Sequence, residues 1–170
     1  MSAVIKTLTP FTSEELLLEA LADVGAEPIL ISNHSVLSQV THRGRISVGD
    51  ILTNRQDYNG VQYFRKIGGS YQISHDAEEF RGSINGRAHN RNYRRIAEFL
   101  GDVEIAYSSA RERLLGRLAE EERQKMEQER VARVEATRQQ VLERAKAQGY
   151  SVREHREAGK IQLVLTRTVY

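Results

Sequence analysis

The chain has no cysteine and no tryptophan, and it has only two prolines among 170 residues. The lack of cysteine excludes disulfide bonds, thiolate catalysis and cysteine-bound zinc or iron–sulfur clusters. No apolar run approaches the about 20 residues of a membrane-spanning helix, and residues 1–10 lack the basic start and apolar block of a signal peptide. We therefore expect a cytoplasmic protein with no membrane partner.

Catalytic signatures are also missing. The sequence contains neither the GxxxxGK[ST] phosphate loop nor GxGxxG, and the serine in Gly82-Ser-Ile-Asn-Gly86 is misplaced for a GxSxG nucleophile elbow. His75-Asp76, followed by Glu78 and Glu79, offers metal-ligand chemistry, but a solvated turn is the simpler interpretation without the HExxH order. We expect no catalytic residue, no metal and no cofactor, and hence a protein that is not an enzyme.

Charge is abundant but almost balanced, with 25 Lys and Arg against 23 Asp and Glu. Much of it lies in residues 108–149, where Arg, Glu, Gln, Lys, Ala and Leu predict one long α-helix that starts at Ser108 and Ser109 and ends at Gly149. Apolar side chains recur at helical spacing only near its two ends. This helix either projects from the body of the protein or breaks at a point that the sequence does not reveal.

The middle of the long helix, residues 119–133, is the most highly charged part. Opposite charges occur at i,i+4 and i,i+3 spacings, and each such pair contributes about 0.2–0.5 kcal/mol to helix stability. A solvated helix face explains this pattern, and so does an arm or short coiled coil that binds a protein partner, although strict heptads are absent. The residues that we expect to contact a partner are Glu121, Lys125, Met126, Glu129 and Arg133.

The N-terminal part of the chain alternates strand and helix patterns. Thr12 and Glu15 fit a capping box that starts a helix, and Gly25 ends it. Strands rich in β-branched and other apolar residues are predicted at four places, residues 3–9, 27–32, 36–40 and 45–48.

Residues 51–74 predict a three-stranded antiparallel meander. Asn59-Gly60 indicates a type I′ turn between the first two strands, and Gly68-Gly69 indicates a turn between the second and third.

After the meander we expect a long loop over residues 76–92 and a short helix over 93–100 that Gly101 ends. A C-terminal hairpin follows the long helix, with strands at 150–154 and 160–170 and a turn at 155–159. The sequence thus predicts a single α+β domain over residues 1–170. Its antiparallel or mixed sheet carries helices on one face, and one long charged helix precedes a C-terminal β-hairpin.

Residues 81–95 form a second candidate site, because they carry five arginines and no acidic side chain. Arginines bind phosphates through two nitrogens, and a tyrosine can stack on a base. Three interpretations stay open: a polar surface loop, contact with an anion or nucleic acid, and contact with an acidic protein. The candidate anion-contacting residues are Arg81, Arg87, His89, Arg91, Tyr93, Arg94 and Arg95.

Two motifs, one near each end, carry a family resemblance: Ile5-Lys6-Thr7 with Leu17, Ala20-Leu21, Asp23 and Gly25, and Ala147-Gln148-Gly149-Tyr150 with Gly159-Lys160-Ile161-Gln162-Leu163-Val164-Leu165. Together they resemble the hypothetical chloroplast reading frame thirty-five family, an uncharacterised domain of unknown function in cyanobacteria, algal plastids and other bacteria. The resemblance implies a central sheet and, for an algal source, the plastid stroma. Because its members are often encoded near AAA-type ATPases, it also implies such an ATPase as a partner.

We therefore expect a non-enzymatic accessory or binding protein that acts through protein–protein contacts. The alternative is a nucleic-acid-associated protein that contacts phosphates through residues 81–95. Self-association through the long helix is a further alternative, because the sequence does not identify the partner.

Overall fold

The computed structural model describes residues 3–39, 46–79, 81–88, 90–157 and 160–167. The chain forms two compact units, Met1–Leu115 and Gly116–Tyr170. The α+β class is confirmed, with an antiparallel sheet, a long helix and a C-terminal strand pair. That residues 1–170 behave as one domain stays a prediction.

Seven strands of the first unit form one sheet in which every described pairing is antiparallel. Six of them lie side by side in the order β1-β5-β4-β3-β6-β7, and the seventh, β2, also pairs with β3. The bounds are β1 Val4–Leu8, β2 Ile29–Leu30, β3 Ile51–Asp57, β4 Gly60–Ile67, β5 Ser70–Asp76, β6 Ser83–Ile84 and β7 Arg87–Ala88.

Two helices cover one face of this sheet and form the core with it. They are α1, Glu14–Asp23, and the beginning of the last helix, Ile96–Ala147, which we call α3. In the central strands every second side chain points toward the helices, and in each helix the apolar side chains recur about every 3.6 residues on the side that faces the sheet. The buried core includes Leu17, Leu21, Ile51, Phe64, Tyr71, Ile73, Phe99 and Val103.

Helix α1 begins one residue later than the capping box predicted. Ser13, not Thr12, is the N-cap, and its hydroxyl accepts a hydrogen bond from Leu16 N at 3.4 Å. The hydroxyl of Tyr107 accepts from Ser13 N at 3.0 Å and from Thr12 N at 3.3 Å. Tyr107, which is distant in sequence, thus accepts the backbone hydrogen bond that the predicted capping box assigned to Glu15. For this reason the local pattern misplaced the cap.

Helix α3 spans 52 residues, so the prediction of two helices separated at Gly101 is wrong. Glycine inside a helix costs only about 1 kcal/mol relative to alanine. Burial of Phe99 and Val103, on either side of Gly101, outweighs that cost because it places both side chains in the core. At the other end Gly149, with φ of 76°, lets the chain leave the helix as predicted, while Tyr150 N donates to Ala145 O at 2.9 Å.

Residues 34–39 form a short helix, α2 His34–Gln39, where a strand over 36–40 was predicted. Asn33 explains the difference, because its Oδ1 accepts from Val36 N at 2.9 Å and caps the helix. Residue 40 lies outside the described part of the chain. In the predicted strand over 45–48, residue 45 also lies outside it, and residues 46–48 form no strand.

The sequence has two Asn-Gly pairs, and the positive φ values of a type I′ turn occur at the second pair and not at the first, where the turn was predicted. The first hairpin turns at Tyr58-Asn59, since Asp57 pairs with Gly60, and Asn59 lacks the positive φ that a type I′ turn requires. Asp57 instead holds this turn by accepting from Asn59 N at 2.9 Å.

The other pair, Asn85-Gly86, has φ of 52° and 71° and joins β6 to β7 inside the predicted loop over residues 76–92. Gly68-Gly69, with φ of 60° and 94°, turns the chain between β4 and β5 as predicted.

The second unit contains the C-terminal hairpin. Its strands are β8 Ser151–Glu157 and β9 Lys160–Thr166, and they pair from Ser151 with Thr166 to Glu157 with Lys160. The prediction that the turn starts at residue 155 is wrong, because charged residues continue the ladder as far as Glu157. Residues 158 and 159 lie outside the described part.

Candidate functional site

The long helix carries a stretch of exposed residues in the second unit. Every residue of α3 from 116 to 134, which we call the exposed segment, is exposed. Met126 is 63% exposed and Val131 is 54% exposed, so neither of the central apolar side chains packs into a core. The exposed segment contributes charge and helical backbone, but no buried contacts that would explain its composition.

Three ion pairs at i,i+3 spacing form on α3 as the sequence predicted. They join Glu120 to Arg123 at 2.8 Å, Glu127 to Arg130 at 2.7 Å and Glu135 to Arg138 at 2.5 Å. The hydrogen bond from Arg130 lowers the pKa of Glu127, and the same contact raises the pKa of Arg130. Arg138 also pairs with Glu154 of β8, which ties the last part of α3 to the hairpin.

The two predicted i,i+4 pairs do not form among the described residues. Glu121, Lys125, Glu129 and Arg133 have no ion-pair partner there. At about 100° per residue, the four side chains occupy one side of the helix, and Met126 lies beside them. We call these five residues the docking face. Their charges alternate along the helix and remain available for contacts with another molecule.

A shallow groove of about 600 Å³ runs along the same part of α3. Three members of the docking face, Met126, Glu129 and Arg133, line it together with Val134. The lining of the groove thus combines apolar and charged side chains. Many protein interfaces likewise have an apolar centre and a polar rim.

The arginine-rich residues 81–95 occupy several different settings in the first unit. Arg87 is exposed on β7 and Arg95 is exposed just before α3, whereas Arg94 pairs with Asp102 at 2.5 Å. Arg81 has φ of 57°, and His89 lies outside the described residues. The anion or nucleic-acid contact of these residues stays a prediction.

Tyr93, a candidate for stacking on a base, is half-buried and packs against other side chains of the protein. Its ring lies 4.5 Å from the guanidinium carbon of Arg55, and its hydroxyl accepts from Gln62 Nε2 at 3.2 Å. Burial raises the pKa of Tyr93. A Cβ on Gly82 would meet this ring at 2.2 Å, so the backbone of residue 82 approaches the ring as only glycine allows.

Arg55 is the feature that sequence reasoning missed. It follows Ile51 and Thr53 on the inward side of β3 and is only 3% exposed. Its Nε donates to Gln62 Oε1 at 2.8 Å and its Nη2 donates to Arg94 O at 2.6 Å. The ring of Phe99 lies 4.1 Å from its guanidinium carbon. In the sequence, the one signal for this buried arginine was a charged residue at a strand position that faces the core.

Burial lowers the pKa of Arg55, although Tyr93, Glu79 and Asp57 counteract this effect. Both carboxylates are engaged elsewhere. Glu79 accepts from Ile96 N at 2.8 Å at the start of α3. Asp57 accepts from Gln62 Nε2 at 3.0 Å and from Asp76 N at 2.8 Å. Arg55 is thus a buried cation held by neutral acceptors and aromatic rings.

Arg55 lines an open cleft of about 590 Å³ in the first unit. Arg91, Arg94, Asn54 and Asn92 contribute its polar wall. The apolar wall comes from Val24, Ala26, Ile84, Phe99, Ile105 and Ala106. A volume of this size accommodates a small molecule, and the mixed lining supplies both orientation and apolar contact.

His75, weighed above as a metal ligand, is buried and has partners within the fold. Its Nε2 lies 2.8 Å from Thr7 Oγ1 and its Nδ1 lies 2.9 Å from Asp76 O. Within the described ranges, no group of three or more His, Asp and Glu side chains is arranged to hold a metal ion.

Comparison with protein-family models, with curated proteins and with solved structures finds no match to this chain. The family resemblance therefore remains an expectation. Within the described part of the chain, no helix combines the length and apolar character that crossing a membrane requires.

Proposed function

We propose that the protein is a non-enzymatic accessory protein that binds another protein through the docking face of α3. The observation that carries this proposal is the exposure of the docking face, whose four charged side chains have no ion-pair partner in the part of the chain that the structure describes. A helix that served only as a solvated spacer would have no need of an exposed methionine among unpaired charges of alternating sign.

The chemistry of this face suits protein recognition. Alternating charges accelerate encounter and fix the register of a partner whose charges alternate in the opposite order. Met126 supplies a flexible apolar anchor that adapts to the shape of a partner. The three i,i+3 pairs support the helix while no partner is bound, because each contributes a few tenths of a kcal/mol.

An AAA-type ATPase is the first partner class to test, because the family resemblance implies it. A second copy of this chain is the other. In an antiparallel pair of α3 helices, Glu121 of one copy would meet Arg133 of the other, and Lys125 would meet Glu129. Both occupants use the same docking face. Exchange of its four charges disrupts binding to a different protein, but in a dimer of two such variants every pair stays opposite in charge.

The decisive variant exchanges the charges of the docking face: Glu121→Lys, Lys125→Glu, Glu129→Arg and Arg133→Glu. A matched control exchanges charges within the pairs that the helix already satisfies: Glu120→Arg, Arg123→Glu, Glu127→Arg and Arg130→Glu. Each variant keeps the net charge and the content of good helix formers. The first variant changes charges that have no ion-pair partner among the described residues, whereas the control changes exposed charges that already pair along the helix, three of which also line the groove.

The measurement is affinity capture from an extract of the source organism, followed by light scattering of each purified variant. We expect the docking-face variant to lose at least one protein that the unmodified chain retains, and the control to retain it. If a dimer forms, the docking-face variant should still pair with itself but should not pair with the unmodified chain, whereas the control should pair with the unmodified chain. Equal capture by the unmodified chain and both variants would refute the proposal.

A further inference from the structure

The cleft in the first unit is lined by a buried cation, Arg55, that forms no ion pair with a described carboxylate. Among the described residues, no carboxylate lies within 4.0 Å of Arg55, whose neighbours are a side-chain amide, a backbone carbonyl and two aromatic rings. A buried charge without an ionic partner costs several kcal/mol of desolvation, so its presence needs an explanation.

This guanidinium borders the cleft, because Arg55 is one of the lining residues. Its Nε donates to Gln62 and its Nη2 donates to Arg94 O, and the side chain of Tyr93 is a further hydrogen-bonding neighbour. All of these partners are uncharged. The positive charge of a nearly buried side chain thus lies at the wall of the cleft.

The charge balance of the cleft favours an anion. Its two carboxylates already pair with arginines, Asp102 with Arg94 and Asp23 with Arg113, at 2.5 and 2.6 Å. The fifth charged residue of the lining, Arg91, is exposed and has no ion pair among the described residues. Arg55 and Arg91 thus leave two positive charges in the cleft, and this number matches a doubly charged phosphate better than a carboxylate.

We propose that this cleft binds a small molecule that carries a phosphate monoester, with Arg55 and Arg91 contacting the phosphate group. A volume of about 590 Å³ exceeds the needs of a bare phosphate ion. The side chains of Val24, Ile84 and Ile105 in the lining provide an apolar surface for the rest of the ligand. This site lies apart in the sequence from the docking face and does not depend on the proposed function.

The test uses the full chain and ribose 5-phosphate as the probe. Binding is followed through the amide NMR signals of Asn54 and Asn92, which line the cleft. Ribose, inorganic phosphate and acetate are titrated at the same ionic strength. We expect saturable shifts with ribose 5-phosphate, weaker binding of inorganic phosphate and of acetate, and none with ribose.

The matched pair of variants is Arg91→Ala and Arg87→Ala. Both residues are exposed arginines of the same segment, but only Arg91 lines the cleft. Loss of one charge-assisted contact should weaken binding about tenfold in Arg91→Ala, whereas Arg87→Ala should bind like the unmodified chain. Arg55→Lys, which keeps the charge but removes the planar fork, should also weaken binding; if it fails to fold, Arg91→Ala still decides.

Three results would overturn the proposal. They are the absence of saturable binding to ribose 5-phosphate, acetate binding as tight as that of the phosphates, and equal weakening by Arg87→Ala and Arg91→Ala. The last result would indicate general attraction of anions to residues 81–95 and not a site in the cleft.

Discussion

The best-defined ion pair of the first unit joins Asp50 to Arg65. Asp50 is 1% exposed, and Arg65 donates to both of its carboxylate oxygens, from Nε at 2.8 Å and from Nη2 at 2.6 Å. Asp50 Oδ2 also accepts from Ser47 N at 2.7 Å, so the pair holds the entry to β3. The hydrogen bond to Asp50 raises the pKa of Arg65.

Removing Arg65 would leave a buried carboxylate without its cation. We expect Arg65→Met to lower the free energy of unfolding by about 3 kcal/mol in urea denaturation. Arg113→Met is the control, because Arg113 bonds Glu19 and Asp23 at the surface with 45% of its side chain exposed. An exposed pair is screened by solvent and contributes much less than a buried one. Equal losses in the two variants would contradict the structural role of the Asp50–Arg65 pair.

Tyr71 makes the stability depend on pH in the alkaline range. Burial, followed by the neighbouring Glu14 carboxylate, raises the pKa of Tyr71 from 10.0 to about 12. In the unfolded chain the phenol loses its proton near pH 10, whereas in the folded protein it keeps the proton to about pH 12. The unfolded state therefore binds fewer protons in this window, and the free energy of unfolding falls as pH rises from about 10 to about 12.

We expect Tyr71 to contribute about 1–2 kcal/mol to this fall. In Tyr71→Phe the free energy of unfolding should therefore fall by that much less over the same pH range. The measurement is urea denaturation of both proteins at a series of pH values between about 9 and 12. Tyr71→Phe loses the hydroxyl that donates to Glu14 Oε2 at 3.3 Å, so its stability below pH 9 sets the baseline. The same slope in both proteins would refute the assignment to Tyr71.

At the scale of single elements, sequence patterns located the larger helices and strands but missed α2, β6 and β7 and misplaced several ends. The meander, the Gly68-Gly69 turn and the Gly149 exit were predictable, because each depends on residues within one turn or ladder. The α1 cap was not, because Tyr107 contacts it from a distant part of the chain. The passage of α3 through Gly101 was not, because the core that buries Phe99 and Val103 is built from distant strands and from α1. Asn-Gly marked a type I′ turn at residue 85 and not at residue 59, where Asp57 holds a different turn.

The exposed segment should be the least stable part of α3, since only local forces hold it. Proline at Gln124, near its middle, removes a backbone donor and costs about 3 kcal/mol in a helix. We expect Gln124→Pro to lower the helical circular dichroism signal. Hydrogen exchange of Phe64 and Ile73 in the core should stay unchanged, because Ala110 is the last buried apolar residue of α3 in the described part of the first unit.

Gln124→Ala is the control and should keep or raise the helical signal. Faster exchange of Phe64 and Ile73 in Gln124→Pro would show that the exposed segment supports the core of the first unit. That result would remove the reason for assigning this segment to a partner.

At the scale of the whole molecule, the two candidate sites differ in how far the sequence reveals them. The residues of the docking face could be named from the sequence, because a run of charges within one helix is a local pattern, and their contact with a partner stays a prediction. The cleft was not, because it needs Arg55 from β3 beside residues 91–106, and the hydrogen bond from Arg55 to Arg94 O spans 39 positions in the chain. Only the folded sheet brings these groups together.

The most direct test of the docking face uses the methionine content of the chain. The sequence has two methionines, Met1 and Met126, so photo-methionine labelling places a single internal cross-linker at the centre of the docking face. Labelled protein is irradiated in an extract of the source organism. We predict a discrete protein adduct that disappears in Met126→Leu, whereas identical adducts in the two proteins, or none in either, would contradict the account.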